Sequence, residues 1–127
     1  MNYVKCVNNA PYLFPLGEPK PTEPLISLTL GKVYKAIPDS SAQRNGMIRV
    51  IDETYGEPGS EDGYWYPADY FEPFLPNGDR RMSTAITVHV DDFTSGVLYA
   101  EALAADLPLS ALIREWIEER LDLPAAV

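Results

Sequence analysis

The sequence predicts an α+β protein made of two small modules in a chain of 127 residues, and three observations carry that reading. Ten of the twelve prolines and seven of the eight glycines precede residue 80, so turn chemistry is concentrated in the first part. That part alternates short β-type runs with turn clusters, whereas the stretch after Met82 shows one β-type run followed by helical periodicity. The character changes at Pro76-Asn77-Gly78-Asp79, which predicts a β module at 1–76, a linker at 77–82 and a strand-and-helix module at 83–127.

Taken in order, Tyr3–Val7, Lys32–Ile37, Met47–Asp52, Tyr64–Tyr66 and Phe71–Phe74 read as five short strands, enough for a small barrel. Alternation puts Val33, Lys35 and Ile37 on one face of the second strand and Ile48 with Val50 on one face of the third, as a half-buried sheet requires. Between the first two strands, Asn8–Ser27 contains Pro11, Pro15, Pro19, Pro21 and Pro24, too many for a helix, and is read as a stiff surface loop. Within it Lys20-Pro21-Thr22-Glu23-Pro24 sets a Pro-x-x-Pro spacing beside a cation, able to dock on an aromatic groove of this chain or another. Gly56–Gly63 is glycine-rich but lacks the Lys-Ser/Thr of a phosphate loop and the ligand spacing of a calcium loop, so it is a turn. Cys6 shares a strand face with Val4 and reads as a buried, inert thiol.

The run Tyr64-Trp65-Tyr66-Pro67-Ala68-Asp69-Tyr70-Phe71-Glu72-Pro73 is similar to the strand, helical turn and last strand that close an SH3-like barrel, and the resemblance covers Tyr3 to Phe74. In that family the closing segment supplies aromatic residues that grip an extended proline-rich peptide, which makes Trp65, Pro67 and Tyr70 the candidate groove. The plainer reading has Trp65, Tyr66 and Phe71 filling the core, because so small a barrel depends on aromatic area.

In the C-terminal module Ala85–Val90 reads as a strand with Ile86, Val88 and Val90 on one face and Ala85, Thr87 and His89 on the other. Asp91 or Asp92 can cap a helix at 92–105 whose apolar stripe is Phe93, Val97, Ala100, Ala104 and Leu107. After the break at Leu107-Pro108-Leu109, Ser110 is the candidate N-cap of a helix at 111–121 with Ile113, Trp116, Ile117 and Leu121 on its apolar side. Some 40 residues lack the core volume to bury these stripes alone.

Ile86–Asp91 as strand and Leu109–Glu115 as the opening of a second helix resemble the ribbon-helix-helix family. The resemblance implies an intertwined homodimer whose antiparallel ribbon enters the DNA major groove. It makes Ala85, Thr87 and His89 the base readers, and the amides of Ser110 and Ala111 phosphate contacts at a helix N-terminus. Ile86, Val88, Val90, Val97, Ile113, Trp116 and Ile117 become the dimer core. The chain departs from the pattern in offering small, hydroxyl and imidazole groups where such ribbons present Arg or Lys. Eight acids against two bases from Ser83 onward leave −6, so Arg80 and Arg81 are the basic pair available to hold phosphate.

Charge and composition bound the function. A net charge of −9 disfavours a general nucleic-acid coat or an anionic membrane surface. One cysteine and one histidine exclude an intrachain disulfide and starve a Cys/His metal site or nucleophile, and the acidic pairs Asp52-Glu53 and Glu61-Asp62 flank turns with no apolar pocket to raise a pKa. The sequence therefore predicts a non-enzymatic, cofactor-free cytoplasmic protein without a membrane span, binding a macromolecule as a dimeric transcriptional regulator or antitoxin-like protein. The alternative is an acidic inhibitor of a basic, nucleic-acid-binding partner, with Glu118 and Glu119 in its working surface; it resembles phage anti-defence and anti-CRISPR proteins in composition and size alone.

Overall fold

The computed structural model describes residues 3–54, 56–76, 82–121 and 123, and the chain divides into two compact units, 1–75 and 76–127. The first unit holds five antiparallel strands, β1 (Tyr3–Cys6), β2 (Val33–Ile37), β3 (Met47–Val50), β4 (Tyr64–Pro67) and β5 (Phe71–Pro73), in the order β4-β3-β2-β1-β5. The second holds the helices α2 (Asp92–Ala104) and α3 (Leu109–Arg120); α1 (Ser40–Arg44) is a short helix between β2 and β3.

Period-two burial decides the two faces of the sheet. Val4 and Cys6 of β1, Tyr34 and Ala36 of β2, Val50 of β3, Tyr66 of β4 and Phe71 of β5 point inward, joined by Leu28 and Tyr70 from the connections. The face shared by Val33, Lys35 and Ile37 is therefore the outer one, and β2 contributes a tyrosine and an alanine to the core instead of its branched residues. Registers of Val4 against Tyr34, Ala36 against Val50 and Cys6 against Phe71 stack these inward side chains in cross-strand pairs.

The expected barrel closure does not form: β4 and β5 are the two edges of an open sheet. Both strands end on proline, Pro67 and Pro73, which has no N–H to extend a ladder, and a single 3-10 turn at Ala68–Tyr70 separates them. Asp39 caps α1 by accepting from the Ala42 amide at 3.1 Å, which lets a five-residue helix bridge β2 to β3.

In the second unit Asp91 caps α2 through the Thr94 amide at 2.8 Å. The helix ends in a Schellman turn, with Leu107 N bonded to Ala102 O at 3.0 Å and Asp106 N to Leu103 O at 3.2 Å. That turn needs a left-handed residue, and Asp106 occupies it at φ 55 where glycine is usual. Two local expectations are corrected. Helix α3 starts at Leu109 with Pro108 as its N-cap, since the Pro108 carbonyl already accepts from Leu112 N at 3.1 Å; Ser110 lies inside the first turn. Residues 82–91, expected to contain the strand Ala85–Val90, carry no regular secondary structure, because a strand requires a hydrogen-bonding neighbour and none lies beside it among the described residues.

Gly63 leads into β4 at φ 77, and a Cβ there would stand 2.8 Å from the carbonyl oxygen of Val50, which is fully buried. Gly63→Ala should cost about 1–3 kcal/mol through that clash and the left-handed backbone, read as a lower urea midpoint at unchanged slope.

Candidate functional site

The three residues predicted to form a peptide groove are not on one surface. Trp65 and Pro67 sit two apart on β4, opposite Arg49 and Met47 of β3, on the outer face. Tyr70 is buried at 8% exposure and its hydroxyl donates to the Ala10 carbonyl at 2.6 Å, so it serves the core. Tyr66 and Phe71 are core residues as the plainer reading held, while Trp65 is only half-buried.

What organises this unit is a set of polar junctions, only some of whose members stood out in the sequence. Asp39 accepts from the Ala42 amide, the Arg49 guanidinium at 2.7 Å and the Trp65 indole at 3.0 Å, tying α1, β3 and β4 together. Those three donors hold its carboxyl down at about 2. Arg49 continues to the carbonyl of Asp62 at 3.1 Å, fixing the turn before β4. Glu53 accepts from Lys32 at 2.5 Å, Thr29 at 2.7 Å and the Tyr34 hydroxyl at 2.8 Å, and these bonds lower its carboxyl to about 2. Asp52 beside it is buried, holding the Thr54 hydroxyl at 2.5 Å and the hydroxyl of Tyr66, which also shares a 2.7 Å hydrogen bond with Ser27. Burial and the Asp52 carboxylate raise the Tyr66 hydroxyl well above the usual tyrosine range. The acidic pair Asp52-Glu53 is thus a structural junction between β3 and the long connection. Its sequence signal was two acids after an alternating strand; Asp39 could be found as a cap-type residue before Ser40.

The connection between β1 and β2 is strapped down at both ends. Tyr12 donates to the Trp65 carbonyl at 2.7 Å, Asn9 to the Leu28 carbonyl at 3.1 Å, and the Leu25 amide to the Asn9 carbonyl at 2.8 Å. Its middle stands out in solvent, with Leu13 80% and Leu16 fully exposed. Pro21 and Pro24 of the Pro-x-x-Pro spacing line an open groove of about 590 Å³ with Val7, Pro11, Lys20 and Leu30, and are not docked on Trp65. The Cys6 thiol donates to the Asn8 carbonyl at 3.3 Å, and burial raises its pKa, so it stays protonated.

In the second unit the candidate base readers Ala85, Thr87 and His89 are all exposed. Arg80 and Arg81 lie outside the described residues. Ser110 and Ala111 stand in the first turn of α3, ahead of its first backbone bond, so their amides open towards the helix N-terminus. Of the candidate dimer core, Ile86, Val88 and Val90 are 84%, 74% and 50% exposed, Val97, Trp116 and Ile117 are also exposed, and Ile113 is half-buried. Helix α2 buries Ala102 and half-buries Leu98, while Phe93, Val97, Ala100 and Ala104 of the predicted stripe face solvent.

Among the described residues no cluster of three His, Cys, Asp or Glu could hold a metal, and no helix is long and apolar enough to cross a membrane. No protein-family profile, curated protein or solved structure matches the chain.

Two outcomes test these junctions. Asp39 and Glu53 have folded-state pKa values near 2, below the ordinary carboxylate range, so the stability they contribute is complete above about pH 4.5 and is lost as pH falls towards 2. The thermal midpoint should drop across that window, and Glu53→Gln should flatten the drop. Tyr70→Phe leaves the Ala10 carbonyl without its donor, should cost about 1 kcal/mol, and should speed proteolytic cleavage within residues 13–24.

Proposed function

We propose that the chain is a dimeric ribbon-helix-helix-type transcriptional regulator or antitoxin-like protein, with an SH3-like N-terminal unit as its partner-binding domain. The observation that carries the reading is the apolar surface of the second unit. Ile86, Val88 and Val90 alternate in a segment with no strand neighbour among the described residues, and Phe93 at 81% and Val97 at 46% exposure continue the exposed apolar run into α2. A soluble monomer rarely leaves so many large apolar side chains together in water. A second copy that pairs its own 85–90 segment antiparallel supplies both missing elements, a strand neighbour and a cover for the stripe.

The polar side of the same segment supports the DNA-binding part. Ala85, Thr87 and His89 alternate with the apolar residues, so pairing the segments turns them outward together, and the open amides of Ser110 and Ala111 can receive phosphate. Support for the SH3-like unit comes from the strand order β4-β3-β2-β1-β5 and the 3-10 turn between the last two strands.

Light scattering on the intact chain should give twice its 14.1 kDa mass, and Val88→Asp should give a folded monomer. Arg80→Ala with Arg81→Ala should leave the dimer intact and abolish retention of a DNA duplex in moderate salt. A wild-type chain that stays monomeric at high concentration overturns the reading. A dimer that retains no duplex favours instead the acidic-inhibitor reading, for which the −9 charge speaks.

A further inference from the structure

The regulator reading leaves an electrostatic deficit. Arg80 and Arg81 would bring two cations per chain, four per dimer, and the phosphate contacts that supply most of the sequence-independent affinity scale with the number of such cations. The two further bases of the second unit, Arg114 and Arg120, share α3 with Glu115, Glu118 and Glu119. On the regulator reading, further phosphate contacts would come from elsewhere in the chain.

The outer face of the sheet has them. Lys5 of β1 stands opposite Val33 of β2, and Lys35 of β2 stands opposite Tyr3 of β1, so both lysines share this face as diagonal neighbours. Lys35 is exposed and Lys5 half-buried, and neither side chain makes an ion pair or hydrogen bond among the described residues. Lys35 is flanked by uncharged residues, Tyr3 on one side and Ile51 on the other, where the Ile51 amide bonds its carbonyl at 3.1 Å. The acids at this face include Asp39, which is taken up by Arg49 and Trp65, and Glu72, opposite Lys5 on β5 and not paired with it. Arg49 is consumed by Asp39, and Lys32 by Glu53. In a chain of net charge −9, adjacent lysines without acidic partners are a specific feature of one surface.

We infer that this outer sheet face, through Lys5 and Lys35, is a second contact surface for the DNA phosphate backbone. The inference rests on the regulator reading and extends it, since it gives the N-terminal unit a positioning role on DNA in addition to partner binding. Such contacts carry no base information; they add affinity and salt dependence. With these lysines a dimer reaches eight cations.

The test is the salt dependence of binding to a mixed-sequence DNA duplex by the intact chain. At about 0.9 per phosphate, eight contacts give a log–log slope near −7 and four give about −3.6, so between about 50 and 200 mM salt affinity falls on the order of 10⁴-fold in the first case and 10²-fold in the second. Lys5→Ala with Lys35→Ala should lower the slope from about −7 to about −3.6, while Lys5→Arg with Lys35→Arg retains it and Glu72→Gln tightens binding. Circular dichroism should show the alanine variant folded, as both side chains lie outside the core. A slope unchanged by the alanine pair, yet reduced by Arg80→Ala with Arg81→Ala, overturns this inference and leaves the regulator reading standing. A wild-type chain that binds no duplex even at low salt overturns both.

Discussion

Four tyrosine hydroxyls hold the N-terminal unit together. Tyr12, Tyr34, Tyr66 and Tyr70 place their rings in or against the core, and each hydroxyl reaches out of it to a polar group. Tyr70 fixes Ala10, Tyr12 fixes β4 at Trp65, Tyr34 receives the Thr29 amide at 2.8 Å, and Tyr66 joins Ser27 to Asp52. A sheet of under 80 residues has little aliphatic volume, and most of its long β1–β2 connection lacks ladder partners. Tyrosine meets both needs, since it buries a ring and presents a donor at the tip. Edge-to-face contacts, Tyr12 with Tyr70 at 5.7 Å and Tyr34 with Phe71 at 6.3 Å, keep the rings in the tilted geometry that aims those hydroxyls.

The same constraint distributes the charges. Glu53 and Asp52 are drawn to the tyrosine tips and Lys32 is held by Glu53, whereas Arg49 pairs with Asp39 on the outer face. Lys5 and Lys35 share the outer face with Arg49 and make no ion pair among the described residues.

The second unit is governed by a different imbalance. Going round α2, Leu98 and Ala102 form the more buried side, Phe93, Val97, Ala100 and Ala104 share another side, and Tyr99 and Leu103 a third. A helix apolar on nearly every side belongs in an interior. The tight Schellman turn at Asp106 sets α3 at 92° to α2, and only the Leu98 and Ala102 side of α2 is covered. The remaining sides and the alternating segment before α2 are the physical reason an assembly is proposed.

Local chemistry in the sequence determined the α+β class, the five strands to within a residue or two, both long helices and the change of character near Pro76, because alternation, proline content and helical spacing act over a few residues. It narrowed the cap of α2 to Asp91 or Asp92, and the structure has Asp91 there. Which parity of β2 turns inward was decided only when Tyr34 found Thr29 and, 19 residues along the chain, Glu53. Tertiary packing likewise drew Tyr70 away from Trp65 and Pro67, opened the sheet between β4 and β5, and gave Asp39 its three donors. Ile86 to Val90 shows the limit from the other side: its period of two is written in the sequence, but a strand exists only through a neighbour's hydrogen bonds.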